Sequence, residues 1–240
     1  MAVTINCDMG EAFGIYAMGD DAGCMPYITH ANVACGFHAS DPKVMWKTVK
    51  LAKEHGVAIG AHPGLPDREG FGRREMRVSR EEVAALVLYQ VGALAAFLHA
   101  EGTDMSHIKP HGALFGMAQN DEEIANGIAD AALTCDLPVI GFSDCVMEDV
   151  FKERGVTYSC EFYADLDYGD DGRQFITMTH DPVAPEDAVA KVLRAVDEGM
   201  TRSVNGKDVE VRADSICVHS DTPGAVAVAK AVHEALQDYL

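Results

Sequence analysis

The chain has 240 residues, 48% of them hydrophobic, and this length fits one α/β domain spanning 1–240. Asp and Glu number 38 against 19 Lys and Arg, which gives a net charge of −19. That field repels nucleic acid and anionic membrane surfaces, so an anionic small-molecule substrate would need a local basic pocket.

Strand-like and helix-like segments alternate along the chain. Apolar, β-branched segments predict strands, and capping signals such as Ser79 followed by Glu82 predict helix starts. The first half contains, in order, strand 3–7, strand 28–35, helix 42–54, strand 57–61, helix 79–100 and strand 107–110. The second half contains helix 121–133, strand 139–142, helix 144–153, strand 157–163, helix 187–198, a hairpin at 204–211, strand 215–218 and helix 225–239.

Seven strands interleaved with helices predict a parallel sheet with right-handed crossovers. In a chain of 240 residues this pattern favours a closed or nearly closed seven-stranded (β/α) barrel. An open doubly wound sheet is the alternative. The sequence contains neither Gly-x-Gly-x-x-Gly nor Gly-x-x-x-x-Gly-Lys-Ser/Thr, the glycine motifs that commonly accompany open nucleotide-binding sheets.

Seven cysteines without a Cys-x-x-Cys pair predict reduced thiols and a cytoplasmic location rather than a disulfide framework or a zinc knuckle. The first residues lead directly into a strand, which predicts no signal peptide. No apolar run approaches the roughly 20 residues of a membrane span, so we expect no membrane-spanning segment.

Polar side chains directly follow the predicted strands. Asp8 and Glu11 follow the first strand, whereas His38 follows the second and His62 the third. Because the carboxyl ends of parallel strands meet at one rim of a barrel, we expect these side chains to line one pocket. Paired carboxylates can serve as general acid and base, or they can form a helix cap and an ion pair.

A metal site is one interpretation of this pattern. Asp8, His38 and His62 offer one carboxylate and two imidazoles, a set that suits Zn²⁺, Mn²⁺ or Fe²⁺ with positions left for water. The alternative is that each histidine is a structural residue with its hydrogen bonds satisfied.

Lys109 and His111 follow the fourth strand and extend the candidate catalytic set. Lys109 is suited to bind a carboxylate or phosphate, and His111 to transfer a proton. Neutralisation of the surplus carboxylates is the structural alternative for Lys109. Arg73 and Arg74 lie in a glycine-containing loop and form a candidate anion clamp, with surface ion pairs as the alternative.

Further candidates for substrate binding are Asn6 before Asp8, Glu161 and Asp165 near the end of the sixth strand, and His219 after the seventh. The remaining histidines are interpreted as structural or surface residues. They are His30, His55, His99, His107, His180 and His233.

Several of these clusters together resemble the LamB/YcsF family. The matching segments are Asn6-Cys7-Asp8-Met9-Gly10-Glu11, Ala31-Asn32-Val33-Ala34-Cys35-Gly36-Phe37-His38, Gly60-Ala61-His62-Pro63-Gly64, Gly70-Phe71-Gly72-Arg73-Arg74 and Lys109-Pro110-His111-Gly112-Ala113-Leu114. Their order and spacing match from residue 3 to about residue 235.

The resemblance implies a seven-stranded barrel related to polysaccharide deacetylases and family-38 glycosidases. It also implies a part in the ATP-dependent opening of the lactam 5-oxo-L-proline to L-glutamate, with Mg²⁺ accompanying the ATP co-substrate. Partner subunits of the 5-oxoprolinase B and C types are implied as well. The lack of a phosphate loop fits ATP handling that depends on those partners. The oligomeric state is left open.

Two departures from the family pattern stand out. Ser40 stands where the family usually has Gly, and Leu166 stands where it commonly has an Arg two residues before Tyr168. Loss of that guanidinium leaves a different lactam or amide open as the substrate. The alternative functions are a metal-dependent amidohydrolase or deacetylase and a non-catalytic substrate-binding subunit.

Overall fold

The computed structural model describes residues 2–175 and 181–240, so His180 lies outside the described residues. The strands are β1 Thr4–Met9, β2 His30–Ala34, β3 Ala58–His62, β4 Met105–Ile108, β5 Val139–Gly141, β6 Tyr158–Tyr163, β7 Met200–Arg202, β8 Asp208–Glu210 and β9 Ser215–His219. The helices are α1 Asp21–Cys24, α2 Pro42–Glu54, α3 Arg80–Glu101, α4 Gly112–Ala118, α5 Glu122–Cys135, α6 Val146–Arg154, α7 Pro185–Glu198 and α8 Ala225–Ala235.

Seven parallel strands form one closed barrel in the order β1-β2-β3-β4-β5-β6-β9. Strand β1 closes the barrel by pairing on both sides, with Asp8 opposite Asn32 of β2 and opposite His219 of β9. The predicted seven-stranded (β/α) barrel is therefore confirmed, and the open doubly wound alternative is wrong.

The two faces of the barrel strands differ in polarity. Because successive side chains of a strand point to opposite faces, residues two apart share a face. In β1, Asn6 and Asp8 both receive hydrogen bonds from Asn32 inside the barrel. Ile5 and Met9 belong instead to the hydrophobic core. The apolar core thus lies between the barrel and its helices, and the barrel interior is polar.

Local capping signals fix the starts of several helices. The Asp41 carboxylate accepts backbone N–H groups at the start of α2, and Asp121 does the same at α5. Ser79 and Glu82 form the predicted capping box at α3. Helices α1 and α4 escaped prediction because they are only 4 and 7 residues long, too short for a clear periodicity.

Two boundaries differ from the sequence prediction. The hairpin forms, but its strands β7 and β8 flank a longer loop than the expected two-residue turn. The N–H of Ser203 donates to the carbonyl oxygen of Lys207 at 2.8 Å, and the N–H of Gly206 donates to the carbonyl oxygen of Ser203 at 2.8 Å, so Val204 joins Asn205 and Gly206 in the turn. Helix α8 ends at Ala235, four residues before the predicted end at 239.

Helix α3 is long and apolar enough to cross a membrane by length and composition alone, with a mean hydropathy of 1.8 in its most apolar window. The expectation that no apolar segment approaches the length of a membrane span is therefore wrong, because α3 has both the length and the apolar composition. One such helix is weak evidence for a span, because a core helix of a globular protein passes the same test. Val83, Val87, Leu94 and Leu98 of α3 are buried in the hydrophobic core.

The polar barrel interior leaves no room at Gly60 of β3. A Cβ added there would lie 2.3 Å from the ring of buried His107, whose two ring nitrogens both have hydrogen-bond partners. We expect Gly60→Ala to lower the free energy of unfolding by about 2 kcal/mol through overpacking. Gly92→Ala in α3 is the matched control: nothing lies within 4 Å of its added Cβ, and we expect a gain of about 1 kcal/mol. Urea denaturation measures both, and equal effects would contradict this account of the interior.

Candidate active site

A small cavity lies at the carboxyl ends of the barrel strands and has a volume of about 30 Å³. Its lining combines ionisable groups with a few apolar side chains. The lining residues are Asp8, His62, Arg73, Lys109, Pro110, His111, Gly112, Phe115, Tyr163, Leu166 and His219. Six of these lining residues were predicted from the sequence as site residues, and they come from five separate segments of the chain.

The ammonium group of Lys109 lies at the centre of the site and is 1% exposed. Its Nζ lies 2.9 Å from Oδ1 of Asp8 and 2.8 Å from Oε1 of Glu161. It also donates to Oδ1 of Asn6 at 3.2 Å. These contacts tie together the carboxyl ends of β1, β4 and β6, and they place Glu161 beneath Lys109.

Mutual attraction keeps the central ion pair charged despite its burial. Burial alone would raise the pKa of Asp8, but the charges of His62 and Lys109 hold that pKa well below its ordinary value. Burial alone would lower the pKa of Lys109, but Asp8, Cys217 and Glu161 raise it well above its ordinary value. Asp8 is therefore ionised and Lys109 protonated near neutral pH.

A hydrogen-bonded layer beneath the cavity holds Asp8 in place. The amide of Asn32 donates to Oδ1 of Asn6 and to Oδ1 of Asp8, each at 2.8 Å. Oδ1 of Asn32 lies 2.7 Å from Nε2 of His107, and the amide of Asn6 donates to Oγ of Ser215 at 2.8 Å. Asn6 is fully buried. The structure thus places it as a support for Asp8, below the cavity.

A cluster of three histidines and Glu11 adjoins Asp8. The rings of His38 and His111 stack with centroids 3.7 Å apart. Oε1 of Glu11 lies 3.2 Å from Nε2 of His38 and 3.5 Å from Nδ1 of His111. Nε2 of His62 lies 3.0 Å from Nδ1 of His111 and 3.3 Å from Oδ2 of Asp8. All six predicted catalytic residues are therefore linked through short contacts.

The two carboxylates of the site have pKa values displaced in opposite directions. Burial, reinforced by the charge of Asp8, raises the pKa of Glu11, whereas that of Asp8 is lowered. Burial also holds the pKa values of His38 and His111 well below the ordinary value. Carboxylates separated in this way can divide acid and base roles between them.

Two groups of side chains among residues 2–175 and 181–240 have the spacing to hold a metal ion, with one potential ligand atom per residue within 4.8 Å of the others. The first group is Glu11, His38, His62 and His111, and the second is Asp8, Cys217 and His219. The sequence pattern had grouped Asp8 with His38 and His62. The structure instead places both histidines in the first group and Asp8 in the second, although Oδ2 of Asp8 lies only 3.3 Å from Nε2 of His62.

The loop at 70–74 fixes the orientation of His111. Phe71 adopts a φ of +54°, a left-handed conformation that bulky residues rarely take. Its carbonyl oxygen accepts a hydrogen bond from Nε2–H of His111 at 2.8 Å. The carbonyl oxygen of Gly72 accepts the N–H of Ala113 at 2.8 Å. The loop is thereby bonded to the start of α4, directly above the histidine cluster.

The two arginines of this loop point in different directions. Arg73 lines the cavity and remains a candidate for binding an anion. The side chain of Arg74 is 61% exposed, and its Nε donates to Oδ2 of Asp67 at 2.9 Å. Arg74 therefore forms a surface ion pair, which was the alternative to the predicted anion clamp. The two guanidinium groups do not act together at one site.

Asp165 supports His219 from the side away from the cavity. Its Oδ1 lies 3.0 Å from Nδ1 of His219, and its Oδ2 accepts the backbone N–H of His219 at 2.9 Å. The hydroxyl of Thr222 donates to the same Oδ2 at 3.1 Å. Burial alone would lower the pKa of His219, but Asp165 raises it to about 9. His219 is therefore cationic near neutral pH, and its ring stacks on Tyr163.

Asn32, His107 and Tyr163 were not predicted as part of the site, although the sequence contains a signal for them. Tyr163 follows Glu161 by two residues, and His107 precedes Lys109 by two, so each shares the inward face of its strand. Asn32 of β2 lies opposite Asp8 of β1 in the sheet register, and its side chain points into the barrel, where it donates to Asp8. Strand periodicity applied beyond the strand ends would have found Tyr163 and His107, whereas Asn32 depends on the register between β1 and β2.

Fold and site together define a parallel (β/α) barrel with a buried ionisable cluster at its carboxyl rim, the place where barrel enzymes carry their active sites. The chain belongs to the LamB/YcsF family, which it matches over residues 3–239. The resemblance seen in the sequence motifs is therefore confirmed over nearly the whole chain.

Similar proteins cover the chain almost completely. It is 48% identical to the 5-oxoprolinase A subunit of Geobacillus kaustophilus, over 98% of this chain and 93% of the relative. The proteins of that name from Bacillus subtilis and Staphylococcus aureus (strain Newman) are 44% and 45% identical, over 98% of this chain and 93% and 96% of theirs. The solved lactam utilization protein of Thermus thermophilus is 44% identical with a TM-score of 0.90, over 99% of this chain and 97% of that one.

The Asp165–His219 pair makes stability depend on pH. Because the pKa of His219 rises from 6.5 to about 9 on folding, its stabilisation is complete below pH 6.5 and is lost as the pH rises through 9. We expect the free energy of unfolding to fall by on the order of 3 kcal/mol across this window through this pair. Urea denaturation at several pH values measures the slope. His219→Gln should flatten it, and an unchanged slope in that variant would contradict the assignment.

Proposed function

We propose that this protein is the A subunit of an ATP-dependent 5-oxoprolinase, a hydrolase that opens the lactam ring of 5-oxo-L-proline to give L-glutamate. Relatives at 44–49% identity carry the name of that subunit, and a structure at 44% identity is described as a lactam utilization protein. The observation that carries the proposal is the convergence of Asp8, His62, Lys109 and His111 on one cavity.

Positive groups at the cavity suit an anionic lactam. The chain carries a net charge of −19, yet Arg73, Lys109 and His219 all line the cavity. Arg73 and His219 are proposed to attract the substrate carboxylate. Lys109 is proposed to stabilise the negative charge that develops on the lactam oxygen, because a fixed cation in a buried site needs no reorganisation during the reaction.

The amide is resistant to water because its carbonyl group is resonance-stabilised, and ATP is proposed to overcome this. Transfer of the γ-phosphoryl group to the lactam oxygen gives ADP and a cyclic imidoyl phosphate. Asp8 or Glu11 directs a first water to the ring carbon, and His62 or His111 delivers a proton to the ring nitrogen as the C–N bond breaks. The product of this step is γ-glutamyl phosphate, and a second water releases phosphate and glutamate.

Partner subunits are proposed to complete the enzyme. The word "subunit" in the relatives' names supports assembly into a complex, for which we propose B-type and C-type partners. The chain has neither glycine-rich phosphate motif, so we propose that ATP with Mg²⁺ binds with the help of those partners. All seven cysteines are free thiols, which supports a reducing cytoplasmic location.

A second candidate is an ATP-independent, metal-dependent amidohydrolase. It is favoured by the compact group of Glu11 and three histidines next to Asp8. This candidate predicts turnover of an amide by the isolated chain, in the absence of ATP and partners. The ATP-dependent function predicts glutamate release only in the assembled, ATP-supplied complex.

Loss of the central carboxylate or of His111 should abolish turnover. In the complex with its partner subunits, we expect Asp8→Asn and His111→Ala each to lower kcat for glutamate release at least about 10²-fold, the size of a lost acid–base contribution. His99→Ala, an exposed histidine of α3, is the matched control and should keep full activity. Wild-type rates in folded Asp8→Asn and His111→Ala variants would refute the assigned roles.

Leu166 offers a test of the substrate. It is 6% exposed and lines the cavity where the family commonly has an Arg. With 5-oxo-L-proline as substrate, Leu166→Arg is expected to lower KM about tenfold, because a charge-assisted hydrogen bond contributes roughly 1.5–3 kcal/mol. Leu166→Met conserves volume and should leave KM unchanged. An unchanged or raised KM in Leu166→Arg would favour a lactam or amide without that carboxylate.

A further inference from the structure

Large exposed apolar side chains are concentrated in the short segment that follows β1. Phe13, Ile15, Tyr16 and Met18 are all exposed, Ile15 to 93% and Tyr16 to 72%. They are four of the ten large apolar side chains that are exposed in the described parts of the chain, 2–175 and 181–240. Single exposed apolar residues are ordinary, but a contiguous group of them commonly marks an interaction surface.

Hydrogen bonds hold the backbone of this segment in one conformation. The N–H groups of Phe13 and Tyr16 each donate to the carbonyl oxygen of the other at 2.9 Å. The N–H of Gly14 donates to Oδ2 of Asp41 at 2.7 Å, and the guanidinium of Arg68 lies 3.9 Å from the centre of the Phe13 ring. The apolar side chains are therefore presented to solvent on a backbone that a binding partner does not have to order, which favours affinity.

Two grooves on either side of α2 connect this segment with an exposed tryptophan. Each groove has a volume of about 730 Å³. Ile15 and Tyr16 line one groove, and Trp46 lines the other together with Phe97 of α3. Leu51 of α2 lines both grooves, so the helix is the ridge between them. The segment 13–18 and the two grooves thus form one surface, the α2 surface, rich in the aromatic residues that are enriched in protein interfaces.

The ridge of the α2 surface is positively charged, although the net charge of the chain is −19. Four exposed lysines lie three or four residues apart along it: Lys43, Lys47, Lys50 and Lys53. Asp21 and Asp41, which line one groove, already accept backbone N–H groups from Gly10 and Gly14. Exposed charges are screened beyond about 8 Å at physiological salt, so the charge that this ridge attracts is set by the lysines themselves.

We infer that the α2 surface docks a partner subunit whose contacting face places acidic groups around apolar side chains. The inference rests on the proposed function, in which another subunit has to bring ATP to the carboxyl rim of the barrel. The segment 13–18 begins two residues after Glu11, so the α2 surface adjoins that rim. A second copy of this chain fits less well, because a symmetric contact through the same face would set the lysines of one copy against those of the other.

Calorimetric titration of the purified chain with purified B-type and C-type subunits, separately and together, tests the inference. We expect Ile15→Asp and Lys47→Glu each to raise the Kd at least tenfold, and both side chains are exposed, so neither change disturbs the core. Val204→Asp and Lys230→Glu are the matched controls, because they alter exposed residues of similar type outside the α2 surface. Both controls should bind the partners as the wild type does.

The salt dependence of binding and the oligomeric state complete the test. The wild-type Kd should rise with salt, and Lys47→Glu should weaken this dependence. Wild-type affinity in either variant, an equal loss of affinity in the controls, or no partner binding by the wild type would overturn the inference. Self-association of the chain that Ile15→Asp abolishes, with partner affinity unchanged, would assign the surface to a second copy instead.

The inference and the proposed function fail separately, because binding is measured without turnover. A complex that releases glutamate from 5-oxo-L-proline and ATP, but binds both variants normally, would contradict the docking surface alone. A complex that both variants weaken, but that releases no glutamate, would support the docking surface and contradict the proposed reaction.

Discussion

The buried ammonium group of Lys109 is the constraint on which the site depends. It lies between the carboxylates of Asp8 and Glu161, and all three groups are at least nine-tenths buried. Removing a charge from water costs several kcal/mol, and only the geometry of this set repays that cost. Without Lys109 the buried carboxylate of Glu161 would lose its ion-pair partner, a situation that typically costs about 3–5 kcal/mol, and Asp8 would keep only His62. Because the three residues come from β1, β4 and β6, the same contacts that hold the charges also fix the rim of the barrel.

This arrangement changes where the fold obtains its stability. Most barrels fill their interior with branched apolar side chains. Here the interior carries Asn6, Asn32, His107 and Ser215 in one hydrogen-bonded layer, and the apolar burial is shifted to the outer faces of the strands and the helices around them. A polar layer is stable only when its groups are paired, so each member restricts its neighbours. The rigidity that results holds Asp8 in position before any ligand arrives.

The predictable part of this structure was the part set by local chemistry. The alternation of strand and helix signals predicted the barrel. The polar residues that follow the strands predicted the cluster at its rim, from Asp8 to His111. Partnerships across the barrel could not be inferred, because they depend on the register: Asn32 donates to Asp8, and Asp165 binds His219. The structure also explains why the family usually has Gly at the position of Ser40, which the sequence alone could not explain. Its φ of +72° is a conformation that favours glycine, which accounts for the usual residue of the family.

Access to the cavity and the orientation of His111 depend on the same loop. The cavity volume of about 30 Å³ is far below the roughly 300–1,000 Å³ of ordinary small-molecule pockets. Binding of the proposed lactam in this cavity would therefore require part of the lining to move. The carbonyl of Phe71 holds the ring of His111, and the carbonyl of Gly72 holds the start of α4. Arg73, the next residue of the same loop, lines the cavity. A displacement of this loop would release Nε2 of His111 while it widens the cavity. Return of the loop would restore both the orientation of the His111 ring and the placement of Arg73, so that access to the cavity and the position of His111 change together.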